Sequence, residues 1–127
     1  MNIGFIGTGS MGRAIIPLLI DAGHRVSAWN RSQDALAELE GVHVLATPAD
    51  AFNQDVVISL LADDHAVKTV LLAAGILDSA DKGCIHIVMS TLSPPLMKEL
   101  QCLHHTYGIE LIAAPVFGVP AVATKGE

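Results

Sequence analysis

Short apolar runs and amphipathic stretches alternate along this chain, with glycine or proline at most of the joints. Residues 2–7 (NIGFIG) are apolar and β-branched and predict a strand. A glycine cluster follows, and then residues 11–22, whose apolar positions suit the buried face of a helix. Gly23 supplies the stop, and residues 25–29 (RVSAW) begin a second strand, which closes a first βαβ unit near Asn30. Pro17 lacks an N–H and crowds the preceding turn, so a bend is expected there. Beyond this unit the pattern predicts a helix over 32–39 with Ser32 as N-cap and a short strand over 42–46. A short helix over 47–52 carries Pro48 at its first position. Residues 55–61 (DVVISLL) are almost continuously apolar, as befits a central parallel strand covered on both faces. Asp63 or Asp64 caps a helix over 65–74, Lys82-Gly83 turns into a strand over 84–89, and Ser93-Pro94-Pro95 opens a helix to about Tyr107. A sixth strand covers 109–114. Six strands alternating with helices imply an α/β fold, a doubly wound parallel sheet with helices on both faces.

Composition narrows the class without changing that picture. With 127 residues, 51% hydrophobic and 16% charged, the chain reads as one globular domain over 1–127, and disorder is excluded. Seven basic residues against 13 acidic ones give a formal charge of −6, so no general attraction to nucleic acid or anionic lipid is expected. Arg13, Asp21, His24 and Arg25 interrupt the first hydrophobic stretch before it reaches the ~18–20 residues of a membrane span. The N-terminus has no basic n-region and Gly7, Gly9 and Gly12 break it, so the expected location is cytoplasmic. Cys84 and Cys102 form no C-x-x-C motif and read as reduced structural thiols. His43 and His86 stand isolated in strands, and His104 and His105 are adjacent and so face different ways on a helix; no metal site is expected.

The chemistry concentrates after the first strand. Gly7-Thr8-Gly9-Ser10-Met11-Gly12 has the G-x-G-x-x-G spacing between a strand and a helix. The first glycine permits a tight turn, the second lets a pyrophosphate approach the backbone, and the third lets helix and strand pack closely. Such a hexad can also be a mere turn, but at the head of a six-strand alternating pattern it points to a Rossmann-type dinucleotide site. The end of the second strand should meet the adenosine ribose, and there, 18 residues beyond Gly12, stand Asn30, Arg31 and Ser32. An acidic residue would bind the ribose hydroxyls of NAD and repel a 2′-phosphate; a neutral Asn followed by an Arg does the reverse, which favours NADP. The competing reading makes Arg31 a solvated loop charge and Ser32 a helix cap.

The run NIGFIGTGSMG (2–12), the Ala22-Gly23-His24 turn, Asn30-Arg31-Ser32, Leu60-Leu61-Ala62-Asp63-Asp64, Met89-Ser90-Thr91-Leu92-Ser93-Pro94 and Ala114-Pro115-Val116 together resemble the β-hydroxyacid dehydrogenase family. That group includes 3-hydroxyisobutyrate and 6-phosphogluconate dehydrogenases, with imine reductases as relatives. The resemblance implies that Gly7 to Gly12 hold the pyrophosphate and Asn30 to Ser32 the 2′-phosphate, with Leu61 and Ala62 lining the cofactor after the fourth strand. It also implies that Thr91 meets the nicotinamide, and that Ser90, with Phe117 and Gly118, meets the substrate. On residue chemistry alone, Ser90 and Thr91 could equally satisfy a strand end, with Ser93 capping the next helix.

Three departures from the family pattern bear on function. Val88 stands where an Asp is usual, and the family's Asp-Ala-Pro-Val-Ser-Gly-Gly run reads Ala113-Ala114-Pro115-Val116-Phe117-Gly118-Val119. Phe117 and Val119 bring apolar bulk where small residues contact a carboxylic acid, which suits a bulkier substrate or an imine. Members of the family also continue into an all-helical domain that carries the proton-donating lysine; Lys68, Lys82, Lys98 and Lys125 do not match it. The expectation is the NADP-binding domain of an oxidoreductase, inefficient in turnover by itself, with a non-catalytic nucleotide-binding or interaction module as the alternative. The apolar stretch from Leu111 to Val122, together with a mean hydropathy of +0.50, further predicts self-association through the C-terminal segment, as a homodimer.

Overall fold

The computed structural model describes residues 1–7, 10–30, 41–61, 63–72, 77 and 83–114. The chain runs through β1 (Asn2–Ile6), α1 (Ser10–Asp21), β2 (Arg25–Trp29), β3 (Val42–Val44), a 3-10 turn (Pro48–Asn53), β4 (Val56–Ser59), α2 (Asp64–Leu71), β5 (Ile85–Val88), α3 (Pro94–Thr106) and β6 (Glu110–Ala113). Among the described residues these strands form one sheet in the order β3-β2-β1-β4-β5-β6, with every neighbouring pair parallel. The strand order reverses between β1 and β4, which makes the crevice above that pair the topological switch point of the doubly wound fold.

Alternation along the strands divides the core in two. Ile3 and Phe5 of β1, Val26 and Ala28 of β2 and Ile58 of β4 pack with Ile16 of α1 on one face. Ile6 and Val57 point the other way, joining Ala51 and Phe52 of the 3-10 turn, Val67, Val70 and Leu71 of α2, and Leu96 and Leu100 of α3. Helices therefore cover both faces, as expected. Gly4 faces the 3-10 turn so closely that a Cβ there would sit 2.6 Å from the Ala51 carbonyl oxygen. Only glycine lets that turn lie flat on the middle of β1.

Most elements fall where the pattern placed them, with three differences. Residues 48–53 wind as a 3-10 turn, a form suited to a six-residue connector closed by Gln54 N–H to the Ala51 carbonyl. The helix α1 passes through Pro17 as one continuous element, with the ring on its exposed side. Gly23, at φ +94°, ends it: the Gly23 N–H bonds the Ile20 carbonyl and the His24 N–H bonds the Leu19 carbonyl. The helix expected over 32–39 lies outside the described residues.

The third difference is a correction. His86 is not isolated: its Nδ1 lies 2.7 Å from Nε2 of His104 on α3, and its Nε2 lies 2.8 Å from Oγ of Ser59 at the end of β4. His104 Nδ1 in turn lies 2.7 Å from the Leu100 carbonyl oxygen. Pattern reading treats residues 86 and 104 separately because only the docking of α3 on the sheet brings them together. The chain of bonds fixes its own protons. A carbonyl only accepts, so His104 donates through Nδ1 and accepts at Nε2; His86 must then donate through Nδ1 and accept at Nε2 from the Ser59 hydroxyl. All four ring nitrogens of His86 and His104 are satisfied with both rings neutral. Phe52 packs edge-on against His86 at 5.1 Å, and the two imidazoles stack at 4.9 Å.

Burial without a counter-charge pushes the pKa of His86 well below the usual histidine value, with the neighbouring His104 adding to the effect, and burial lowers that of His104 as well. Both groups therefore bind protons more readily in the unfolded chain than in the folded one. Their contribution to stability is complete above about pH 6.5 and is lost as the pH falls below it, by at most about 1.4 kcal/mol per pH unit for each ring. Urea denaturation is expected to show a lower midpoint at pH 5.5 than at pH 7.5; equal midpoints would contradict two neutral, buried histidines.

Candidate functional site

The residues singled out after the first strand converge on the C-terminal edge of the sheet. Gly7 follows β1 in the left-handed region, at φ +91°. A Cβ at that position would stand 2.4 Å from the Leu60 carbonyl oxygen and 2.9 Å from Leu61 Cδ2. Gly7 is therefore required twice, by its backbone angle and by the approach of the segment that leaves β4. Its N–H donates to the Trp29 carbonyl at 2.9 Å, which ties the turn to the end of β2 beside the half-buried Asn30. Gly12 sits in the first turn of α1, where a Cβ would come within 2.9 Å of the Gly7 carbonyl oxygen and 3.2 Å of the Phe5 ring. That contact is the close helix–strand packing the third glycine of the hexad was expected to allow.

Two helix starts lie at this edge and differ in charge. The helix α2 is capped by its own side chain: Asp63 Oδ1 accepts the Ala66 N–H at 2.9 Å. The first turn of α1 contains no acidic residue, so no carboxylate of that turn offsets the positive end of its dipole. The cap role read for Asp63-Asp64 falls to Asp63. Asp64 reaches instead to the start of α3, where its Oδ1 accepts the Ser93 N–H at 3.1 Å. The Ser93 hydroxyl and N–H together hold the Asp64 carboxyl below the usual carboxylate range. Ser93 itself makes no side-chain cap bond to α3.

Ser90, 3% exposed, follows β5, and its Oγ accepts the Leu61 N–H at 2.7 Å; the adjacent Thr91 is exposed. Gly7, Asn30, Leu61, Ser90 and Thr91 are thus brought to one edge by the ends of four strands. Thr8, Gly9, Arg31, Ser32, Ala62, Phe117 and Gly118 lie outside the described residues, as does most of the apolar C-terminal stretch, and Ser10 and Met11 are described only as helical backbone. A cavity of about 470 Å³ lined by Asn2, His24, Arg25, Ser27, His43 and Gln54 opens at the opposite edge and shares no residue with this constellation. No group of metal-ligating side chains occurs among the described residues, and none of their helices is long and apolar enough to cross a membrane. Sequence reasoning missed the Asp64–Ser93 and Leu61–Ser90 bonds; the only trace of them is the common spacing of 29 residues, which has meaning once β4 and β5 are known to pair.

A family model described as the NAD binding domain of 6-phosphogluconate dehydrogenase matches residues 2–127. The uncharacterized oxidoreductase YfjR of Bacillus subtilis is 37% identical over 98% of this chain and 45% of its own length. The cytokine-like nuclear factor N-PAC of Xenopus tropicalis is 34% identical over 98% of this chain and 24% of its own. Among solved structures, the 3-hydroxyisobutyrate dehydrogenase of Mycobacterium tuberculosis with L-serine superposes with a TM-score of 0.89, at 28% identity over 98% of this chain and 43% of that one. The chain spans less than half the length of the curated relatives it matches.

The two glycines should respond differently to a methyl group. Gly7→Ala combines an unfavourable φ with a backbone collision and is expected to cost at least about 2 kcal/mol. In Gly12→Ala the Cβ also meets backbone, the Gly7 carbonyl oxygen at 2.9 Å, but no unfavourable φ is added and up to about 1 kcal/mol of helix propensity offsets part of the cost, so a smaller loss is expected. Urea denaturation of the two variants is the check; a greater loss in Gly12→Ala would mean that the approach of Leu60 to the turn does not govern this corner.

Proposed function

We propose that this chain, which belongs to the family of the NAD binding domain of 6-phosphogluconate dehydrogenase, is the NADP-binding domain of a cytoplasmic oxidoreductase. That enzyme moves hydride between NADP(H) and a small 3-hydroxy acid or aldehyde, or a related carbonyl or imine. The observation that carries the reading is the Gly7 turn leading into the acid-free start of α1 at the switch point of the sheet. Gly7 to Gly12 would hold the pyrophosphate, Asn30 to Ser32 the 2′-phosphate, and Leu61 with Ala62 the wall of the crevice, with Thr91 at the nicotinamide. Ser90, Phe117 and Gly118 would face the substrate. NADP(H), when bound, supplies or accepts the hydride. The chain's own part is to bind and orient, since its lysines do not match the family's proton donor. On this reading it takes up nucleotide without efficient turnover by itself and self-associates through the segment following β6, whose Ile112 is already 43% exposed.

A net charge of −6 speaks against nucleic acid as a partner; the proposed partner is a small-molecule substrate.

If Arg31 pairs with the 2′-phosphate, calorimetric titration should show NADPH binding at least about tenfold more tightly than NADH, a difference of ~1.4 kcal/mol. Arg31→Ala should erase that preference without unfolding the domain, and equal affinities in the unmodified chain would remove Arg31 from the site. Light scattering across a hundredfold dilution checks the self-association: a mass of two chains that falls on dilution is expected, and a constant mass of one chain would refute it.

A further inference from the structure

The strands β4 and β5 pair with a constant offset of 29 residues: Val56 with Ile85, Val57 with His86, Ile58 with Ile87 and Ser59 with Val88. The last backbone bond of this pair runs from the Met89 N–H to the Ser59 carbonyl, at 2.9 Å. Beyond it the two chains leave the sheet, yet the offset persists. Leu61 bonds Ser90, and Asp64 bonds Ser93, each again 29 residues apart. Side chains have taken over from the carbonyls: a buried hydroxyl accepts the Leu61 N–H, and a carboxylate accepts the Ser93 N–H.

The pairing of β4 and β5 is thus prolonged past the sheet edge into two loops tied at both ends. The loop bearing Leu61 lies against the glycine turn, since Leu61 Cδ2 is one of the atoms a side chain on Gly7 would strike. In a doubly wound sheet the β1–β3 half meets the adenosine part of a dinucleotide and the half beginning at β4 meets the other mononucleotide. Leu61 stands on that second side, and its N–H is held by the Ser90 hydroxyl oxygen.

We propose that Ser90, assisted by Asp64, is a positioning residue of the nucleotide site: its hydroxyl oxygen holds the Leu61 backbone at the crevice wall that faces the nicotinamide half of NADP(H). The proposal rests on the dinucleotide reading above. As acceptor of the Leu61 N–H, the Ser90 oxygen does this before any contact with substrate.

The test uses the 127-residue chain with two probes, NADPH and adenosine 2′,5′-bisphosphate, which carries the adenosine half alone. In Ser90→Ala the NADPH affinity should fall about tenfold while the bisphosphate affinity stays within about twofold, and the Leu61 amide should exchange faster with β1 and β2 unchanged. Asp64→Ala should act in the same direction more weakly, and Asp64→Asn, which keeps an acceptor for the Ser93 N–H, should restore the affinity. Unchanged NADPH binding in a folded Ser90→Ala chain, or an equal loss for both probes, would overturn the positioning role. Failure of the unmodified chain to bind either probe would instead bring down the dinucleotide reading, and the proposal with it.

Discussion

The approach of the Leu60 carbonyl to Gly7 is the constraint on which the upper edge of this molecule depends. The strands β1 and β4 are more than fifty residues apart in sequence, and they are neighbours in the sheet because the chain crosses from one side of β1 to the other. At that crossing two segments leave the sheet side by side. The 2.4 Å that a Cβ on Gly7 would leave to the Leu60 oxygen measures how little room remains between them. The same corner brings Gly12 of α1 against the Gly7 carbonyl, whose oxygen a Cβ on Gly12 would meet at 2.9 Å. A wider gap would remove the collision, but the φ of +91° would still favour glycine at position 7.

The residues just before this crossing are held as tightly as those just after it. Ser59 is bonded to His86, the Leu60 N–H to the Ile6 carbonyl, and the Leu61 N–H to Ser90, so three consecutive residues are anchored to β5, β1 and the segment after β5 in turn. A run such as DVVISLL could slide along its neighbours with little change in burial, because a strand apolar on both faces carries weak register information. The polar atoms remove that freedom. A slip of one residue would turn the Ser59 hydroxyl to the other face and leave His86 without its donor, at a cost of about 1–3 kcal/mol for each buried group left unpaired. The Ser59–His86–His104 chain ends on the Leu100 carbonyl, which can pass no proton onward, and it lies inside the core with Phe52 against it. Its part is to fix register and the docking of α3.

Much of this was legible in the sequence, and the division follows the range of the interactions. The strand–turn–helix unit at the N-terminus, the Gly23 stop and the 3.6- and 2-residue periodicities are local, so spacing alone exposes them. The doubly wound sheet follows from their alternation, and the placement of Gly7, Asn30, Leu61 and Ser90 at one edge follows from the sheet. What spacing could not expose is pairing across elements. His86 and His104 are partners only because α3 packs on the face to which the even residues of β5 point. Gly4 reads as a dispensable strand residue until the 3-10 turn is laid over it. Asp64 reads as half of a double cap, since nothing in Asp63-Asp64 tells which carboxylate turns inward and which reaches to Ser93.

Those two aspartates also bear on how an acidic chain would bind the phosphate-bearing ligand proposed for it. A formal charge of −6 works against any long-range attraction of a phosphate-bearing ligand, so selectivity must come from short-range donors whose surroundings are locally free of carboxylates. At the start of α2 the Asp63 carboxylate occupies the helix terminus and Asp64 is committed to Ser93, which closes that end to anions. At the start of α1 the corresponding positions are Ser10, Met11, Gly12 and Arg13, none of them acidic. Two helix ends of the same polarity, on the same edge of one sheet, are thereby made unequal. The start of α2 carries a carboxylate cap and a tie to Ser93, and the first turn of α1 carries no acidic residue.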